Sequence, residues 1–364
     1  MTASTPALLL TDDPDLVAHV QRLAAAAGAE LSVAADPTGA RIGWVTAPVV
    51  LVGPDLLPAL ADTRPLRRDQ VHVVVLGASS DSCFRAALDI GAESVVELPH
   101  GEPWLVETLA DTADGASVRA NVVGVVGGCG GAGATMFATA LATAAAQDVD
   151  PASGVHPAML VDADPLGPGI ERVAGLEDVE GTRWDALLQS AGRLGSRSLR
   201  KALPAREGLS VLGWGPGRRA ALAPGVVREV LSAGARGSGL VVVDLPRYPD
   251  PAAAEILQRC DHVVVVTTLE LAGVASAARV VAEVLPDAGP TWLVARGPAT
   301  ALDPAEVSSL LGVPLAAAMT DQRRLAESVE LGLGPLSSRR GPLARAAREV
   351  LEVLRTPAGA EVAA

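Results

Sequence analysis

Short apolar runs alternate with alanine- and leucine-rich stretches of helical length along most of the chain. Apolar runs without strict polar alternation are typical of strands that are buried on both faces, and helices between successive strands connect parallel neighbours. The alternation therefore predicts an α/β protein with mostly parallel sheets covered by helices on both faces. A chain of 364 residues is long enough for two such domains, each with its own hydrophobic core.

The apolar runs fall into two groups, which predict two domains. The first domain is expected over residues 1–111, with strands at 7–10, 31–34, 49–52, 71–76 and 94–97. The polar, glycine-containing stretch 112–121 predicts a linker. The second domain is expected over residues 122–355, and its strands begin in the run 121–126 and continue at 158–161, 209–212, 240–243, 262–266 and 291–295. Residues 356–364 are predicted to form a disordered tail.

The charge and the cysteine content exclude several functional classes. With 42 acidic and 29 basic residues the net charge is −13, which repels nucleic-acid phosphates, so nucleic acid is not an expected partner. No apolar stretch approaches the roughly 20 residues that cross a bilayer, and no secretory signal is evident, so we expect a cytoplasmic protein. Three cysteines without a CxxC pair predict reduced thiols rather than disulfides or a zinc site.

A glycine-rich turn, GGCGGAGAT at residues 127–135, links a predicted strand to a predicted apolar helix. The backbone N–H groups of such a turn and the dipole of the helix that follows form a cradle for phosphate. The turn fits both the P-loop pattern, with alanine in place of lysine, and the GxGxxG pattern of dinucleotide-binding folds. On either pattern the residues expected to contact a nucleotide are Gly128, Gly130, Gly131, Gly133, Ala134 and Thr135.

Three aspartates distinguish the two patterns. Asp162 and Asp164 follow one predicted strand and Asp244 ends another, so all three are expected at the edge of the sheet where parallel α/β folds bind ligands. Together with the Thr135 hydroxyl they offer hard oxygen ligands suited to Mg²⁺. A dinucleotide enzyme would use only one such acid, Asp162, for the ribose, and the five histidines form no evident proton-transfer group, but this second alternative stays open.

Residues 122–355 resemble the MinD/ParA superfamily of deviant Walker ATPases. The segments that carry the resemblance occur in the superfamily's order: GGCGGAGAT, VDADP, VVVDLP, VVTTLEL and DQRRLAE. The resemblance implies ATP and Mg²⁺ as cofactors. By position it implies that Thr135 binds Mg²⁺ and that Asp162 supports the metal site. It also implies that Asp164 orients the attacking water and that Asp244 is the Walker B acid.

The turn departs from that superfamily at both of its lysine positions, where this chain has Cys129 and Ala134. Lys201 is the only lysine in the chain. A charge-assisted contact contributes about 1.5–3 kcal/mol, so each loss weakens phosphate binding roughly ten- to a hundredfold. These departures predict a pseudo-ATPase that binds nucleotide weakly or as a structural ligand. The alternatives are an active ATPase that takes a cation from outside the turn, and a turn that is kept for packing alone.

The first domain resembles the receiver domain of response regulators, because it combines five strands with an acidic pair, Asp12 and Asp13, after the first strand. The phosphorylated aspartate is missing: the residue after the third strand is Gly53, and Leu98 replaces the lysine that precedes proline. The acidic pair is expected to cap the following helix. The resemblance therefore implies a degenerate receiver-like, flavodoxin-like domain that serves as a docking surface.

A degenerate receiver followed by a MinD/ParA-like domain resembles the CpaE/TadZ group, including actinobacterial septum-site-determining proteins. This resemblance implies a spatial regulator that forms homodimers and binds protein partners of the division or of the pilus and secretion machinery. The C-terminal stretch has an apolar face at helical spacing, similar to a membrane-targeting helix, formed by Leu343, Ala347, Val350, Leu351 and Leu354. Peripheral association with the inner face of the plasma membrane is therefore an alternative to packing of this helix inside the domain.

Overall fold

A computed structural model describes residues 5–113, 120–148, 158–189, 194–215, 221–286, 288–298, 300–337 and 340–355. The chain divides into two compact units, Met1–Val118 and Arg119–Ala364. Most of the predicted linker, residues 114–119, and the whole predicted tail, residues 356–364, lie outside the described residues.

The first unit contains one parallel sheet of five strands in the order β2-β1-β3-β4-β5. This is the order of five-stranded doubly wound folds. The strands are β1 Ala7–Leu10, β2 Leu31–Ala34, β3 Val50–Val52, β4 Val71–Leu76 and β5 Ser94–Leu98. The predicted strands are confirmed, with bounds that differ by at most one residue.

Five helices within residues 5–113 cover both faces of this sheet. They are α1 Pro14–Ala27, α2 Arg41–Thr46, α3 Leu57–Asp62, α4 Asp81–Asp89 and α5 Glu102–Ala113. One core contains buried residues of α1 and α5, and the other contains buried residues of α2, α3 and α4. Both faces of the central strands β1, β3 and β4 are therefore buried, which is why their sequences are nearly continuous apolar runs, whereas the edge strands β2 and β5 are partly exposed.

The second unit contains a sheet of eight strands in the order β13-β12-β11-β6-β10-β7-β9-β8, and only the β8–β9 pair is antiparallel. The strands are β6 Asn121–Gly127, β7 Met159–Asp162, β8 Ala205–Arg206, β9 Leu209–Leu212, β10 Leu240–Leu245, β11 His262–Thr268, β12 Thr291–Arg296 and β13 Leu315–Met319. The six predicted strands are confirmed, whereas β8 and β13 are not predicted from the sequence. The reason is that β8 has two residues and that β13, with the sequence LAAAM, has a composition that favours helix.

Helices cover both faces of this second sheet as well. They are α6 Ala134–Asp148, α7 Ile170–Ala174, α8 Trp184–Leu187, α9 Ser196–Ala202, α10 Pro224–Gly237, α11 Pro251–Leu257, α12 Leu271–Glu283, α13 Pro304–Leu311, α14 Leu325–Glu330 and α15 Pro342–Arg355. Helix α15 packs against α6 and β13, and the residues of its apolar face are buried in the core of the unit. Among the described residues, none of the helices combines the length and the hydrophobicity that crossing a membrane requires.

The register of the central strands positions the candidate site. Strand β6 lies between β10 and β11, and β10 also pairs with β7. Asp244 of β10 is the direct register partner of Asp162 of β7. Neighbouring strands are about 4.8 Å apart, so these two carboxyl groups leave the sheet side by side, next to the turn that follows β6.

Candidate functional site

The turn between β6 and α6 contains glycines that are needed for two different reasons. Gly131 and Gly133 have φ angles of +73° and +92°, which side chains rarely tolerate. Gly128 has no room for a side chain, because a Cβ there would lie 2.7 Å from the Cβ of Ala277 and 3.0 Å from the Oγ1 of Thr267. Gly130 has neither constraint, since the nearest atom to a Cβ there is 3.6 Å away. The turn is thus seated on β11 and α12 at Gly128 and exposed to solvent at Gly130.

The structure brings the predicted aspartates and Thr135 together beside this turn. Asp244 is 3% exposed, and burial raises its pKa to about 8. This value includes a lowering of the pKa by the Thr135 hydroxyl, which hydrogen-bonds the carboxyl group, and a raising of the pKa by the nearby charges of Asp162 and Asp164, which add to the effect of burial. A cation placed here would favour the charged form of Asp244, so the chemistry of the group suits a divalent metal.

Asp162 organises the loop that follows β7. Its Oδ1 accepts the N–H of Asp164 at 3.1 Å and its Oδ2 accepts the N–H of Ile170 at 3.2 Å. Its backbone carbonyl accepts the indole N–H of Trp184 at 2.7 Å. The Asp162 carboxylate therefore holds the backbone of this loop, and its predicted support of a metal stays a prediction.

Asp164 lies half-buried in the same loop, and its Oδ1 accepts the N–H of Leu166 at 2.9 Å. Within the part of the chain that the structure describes, no group of three or more histidine, cysteine, aspartate or glutamate side chains could hold a metal ion by itself. Mg²⁺ is usually bound by one or two protein oxygens together with substrate phosphates and waters, rather than by an all-protein cage. Thr135 and Asp244 fit that arrangement, in which nucleotide phosphates complete the coordination.

The two positions where lysine is missing are occupied by side chains that pack. Cys129 is half-buried, with its Sγ 3.5 Å from the Oγ1 of Thr268, and both Cys129 and Ala134 pack against the core of the second unit. Lys201, the only lysine, is exposed near the end of α9. The side chains of the turn therefore offer no positive charge to a ligand.

Two arginines beside the turn are not predicted from the sequence. Arg296, the last residue of β12, donates from Nη1 to the carbonyl oxygens of Gly131 and Ala132, each at 3.0 Å, and from Nε to Asp321 at 2.7 Å. Arg247 follows β10 by two residues, and its side chain lies along the turn. Arg296 ends one strand and Arg247 closely follows another, and the carboxyl ends of these strands meet at the edge where the turn lies. Their positions at strand ends are the sequence signal that could have identified them.

At the carboxyl-terminal edge of the sheet in the first unit, acidic side chains are engaged in hydrogen bonds within the unit. Asp13 accepts the N–H groups of Asp15 and Leu16 as the N-cap of α1, which confirms the predicted cap for Asp13 but not for Asp12. Asp55 accepts the Thr11 hydroxyl and the Asp12 N–H, each at 2.7 Å.

Gly53 stands directly after β3, where a receiver domain would have its phosphorylated aspartate. A Cβ at this residue would lie 2.4 Å from the Oγ1 of Thr11 and 2.3 Å from the Oδ1 of Asp55. The position therefore has no space for an aspartate side chain.

Comparisons with known proteins agree with these two folds. The family model described as the Rv3660c-like, CheY-like N-terminal domain matches residues 10–120. Protein Rv3660c of Mycobacterium tuberculosis H37Rv is 39% identical over 348 residues, which are 94% of this chain and 96% of that protein. The chain belongs to the Rv3660c family. Its first unit is CheY-like, as the resemblance to receiver domains predicts.

Solved structures show the fold of the second unit. A ParA family ATPase from Chlorobium tepidum matches with a TM-score of 0.54 and 17% identity, over 65% of this chain and 99% of that chain. The septum site-determining protein MinD of Pyrococcus horikoshii, complexed with Mg-ADP, matches with a TM-score of 0.51 and 17% identity, over 66% of this chain and 98% of that chain. The Rv3660c family member therefore combines a CheY-like unit with a MinD/ParA-like fold, and the predicted fold class is confirmed.

The two kinds of glycine predict different responses to substitution. Gly128→Ala should lower the free energy of unfolding by about 1–3 kcal/mol, because the new Cβ overlaps Ala277 and Thr267. Gly130→Ala is the matched control and should change it by less than about 0.5 kcal/mol. Urea denaturation of the full chain measures both. Equal decreases in the free energy of unfolding of the two variants would contradict the close packing of Gly128 against Ala277 and Thr267.

The closed edge of the first unit predicts that it is not phosphorylated by small-molecule donors. Incubation with acetyl phosphate and Mg²⁺ should leave the intact mass unchanged, because the acceptor position is Gly53 and the Asp55 carboxylate is already hydrogen-bonded. A phosphorylatable receiver treated in parallel is the positive control. A phosphoryl adduct that disappears in Asp55→Asn would contradict this prediction.

Proposed function

We propose that the second unit binds Mg-ATP as a regulatory ligand, weakly and with little or no hydrolysis, and that the protein is a spatial regulator rather than a metabolic enzyme. The observation that carries the proposal is the convergence of Thr135, Asp164 and Asp244 at the end of a glycine turn that opens a 15-residue helix. The MinD relative named above was solved with Mg-ADP, which supports the same ligand class here.

Each group of the site would have a distinct task. The N–H groups of the turn and the first turn of α6 would donate to phosphate oxygens, where the helix dipole adds a partial positive charge. Thr135 and Asp244 would hold Mg²⁺, directly or through water, and Mg²⁺ would neutralise phosphate charge. Asp164, half-buried in the loop after β7, would face a water near the terminal phosphate.

Slow hydrolysis follows from the cations that the turn lacks. Phosphoryl transfer needs positive charge around the transferred group in the transition state. Cys129 and Ala134 supply none, and the guanidinium of Arg296 is bonded to the backbone of the turn and to Asp321. An active ATPase would require a cation from elsewhere, and Arg247 lies beside the turn without an ion pair to any described residue.

The dinucleotide alternative is less well supported. A dinucleotide enzyme would use the Asp162 carboxylate for a ribose hydroxyl. Both oxygens of that carboxylate accept backbone N–H groups of the loop that follows β7. The site therefore favours Mg-ATP over NAD.

Exposed leucines around the site support a homodimer. Leu166, in the loop after β7, and Leu271, the first residue of α12, are 82% and 79% exposed. Both lie at the sheet edge that carries the glycine turn, where a second copy would bury them. We propose that nucleotide binding couples to this dimer.

In the cell, the first unit would recruit a protein partner. Its acceptor position is closed, which favours a docking role for this CheY-like unit. By analogy with the septum site-determining protein MinD, the partner would belong to the division machinery, and by the resemblance to the CpaE/TadZ group it would alternatively belong to the pilus and secretion machinery. The apolar face of α15 is buried within the second unit, so a membrane location would come through such a partner.

The ligand prediction is tested with the purified full chain. Calorimetry should detect weak Mg-ATP binding and no NAD binding, and steady-state assays should show no multiple turnovers. The double variant Cys129→Lys, Ala134→Lys should bind Mg-ATP roughly ten- to a hundredfold more tightly, because it restores charge to the turn. The control Ala278→Lys, Ala282→Lys adds the same charge on the exposed face of α12. NAD binding without ATP binding, or rapid turnover by the unmodified chain, would contradict the proposal.

The dimer prediction is tested by light scattering with size-exclusion chromatography in the presence of Mg-ATP. Leu271→Glu should abolish the dimer, because it places a charge in the apolar contact. Leu310→Glu is the matched control: Leu310 is 74% exposed near the end of α13, away from the turn. A monomer under all conditions, or equal dimerisation of both variants, would contradict the role of Leu271.

A further inference from the structure

We propose that Arg247 supplies the positive charge that the glycine turn lacks, and that its guanidinium binds the phosphate groups of the nucleotide. This inference rests on the proposed function, because it assigns a further phosphate ligand to the same site. The charge would then come from the segment after β10 rather than from the turn.

The register of β6 and β10 explains why Arg247 reaches the turn. Leu245, the last residue of β10, pairs with Val126 of β6, so the residues that follow β10 run beside the residues that follow β6. The Cδ of Arg247 is 3.2 Å from the position of a Cβ on Gly127. Its Nη2 is 3.6 Å from the position of a Cβ on Gly130. The side chain therefore lies along the turn, with its guanidinium at the exposed glycine.

Arg247 is available for a ligand, whereas the other arginine beside the turn is not. Arg247 is exposed, and within the described ranges it makes no hydrogen bond or ion pair. Arg296 holds the carbonyl groups of Gly131 and Ala132 and also pairs with Asp321. The guanidinium of Arg247 lies on the glycine backbone without a carboxylate partner among the described residues. Its positive charge is therefore free to bind an anionic ligand.

The surroundings of the segment after β10 also place it at the site. Burial raises the pKa of Tyr248, and the charge of Asp164 raises it further. Tyr248 is thus within electrostatic range of the loop after β7. Strand β10 lies between β6 and β7 in the sheet, so the segment after β10 that carries Arg247 lies between the loop after β7 and the glycine turn after β6.

The chemistry of arginine suits this position. Its planar guanidinium has five N–H donors and binds phosphate oxygens in a bidentate manner. Arg247 is exposed and makes no ion pair with a described residue, so binding a phosphate would not require breaking an existing ion pair. One such contact is worth roughly a ten- to hundredfold gain in affinity, which is comparable to the loss of one lysine from the turn.

The experiment compares Mg-ATP binding by four full-length proteins: the unmodified chain, Arg247→Gln, Arg247→Lys and the control Arg279→Ala. Arg247→Gln keeps most of the side-chain stem and removes the charge, so Mg-ATP affinity should fall roughly ten- to a hundredfold. Arg247→Lys should recover part of it. Arg279 is exposed on α12 and makes no hydrogen bond or ion pair with a described residue, so its loss should leave affinity unchanged.

Two further readouts separate ligand binding from a structural role. The midpoint of thermal unfolding without ligand should be the same in Arg247→Gln and the unmodified chain, because the guanidinium is exposed and unpaired. Mg-ATP affinity should also depend less steeply on salt in Arg247→Gln, because an ionic contact that salt screens has been removed.

The failures are distinguishable. Equal Mg-ATP affinity of the unmodified chain and Arg247→Gln would overturn the role of Arg247 and leave the proposed function standing. A folded, unmodified chain that binds no Mg-ATP would overturn both. A loss of affinity accompanied by an equal loss in Arg247→Lys and by a lower unfolding midpoint would assign Arg247 to packing and overturn its role as a phosphate ligand.

Discussion

The parallel pairing of β6 with β10, and of β10 with β7, is the constraint on which the candidate site depends. It makes three strands end at one edge in a defined register, so that Asp244 and Asp162 leave the sheet as neighbours and the glycine turn begins beside them. The core residues of β6, β7 and β10 are almost fully buried, which holds this register. The chemistry at the edge is a consequence of that packing.

The electrostatic character of the site is unusual for a phosphate cradle. The carboxyl group of Asp244 is buried among other acids, and burial raises its pKa to about 8. The turn offers backbone N–H groups and a helix dipole but no lysine, and both arginines come from the ends of other strands. One of them, Arg296, ties the turn to Asp321, and the other, Arg247, carries a charge that no described residue pairs. This shortage of cations is the reason why we propose binding rather than catalysis, because transition-state charge demands more cations than ground-state binding does.

The CheY-like unit shows the same separation of fold from chemistry. Its five strands keep the doubly wound order, while Thr11, Asp55 and Gly53 close the edge where phosphorylation would occur. Both units of this Rv3660c family member thus retain a ligand-binding architecture with altered reactive groups. A regulator that works through binding and docking is consistent with both.

The sequence by itself determined eleven of the thirteen described strands and the glycine turn. The strands and the glycine turn could be predicted because burial on both faces requires apolar runs, and because positive φ angles at Gly131 and Gly133 require glycine. Strands β8 and β13 could not be predicted, because β8 has only two residues and β13 consists largely of alanine, which favours helix. Only the tertiary structure decided that Asp162 holds a loop, that Arg296 holds the turn and that Arg247 lies along it. Those contacts join residues far apart in the chain, and their distances depend on strand register and side-chain packing, which no local pattern encodes.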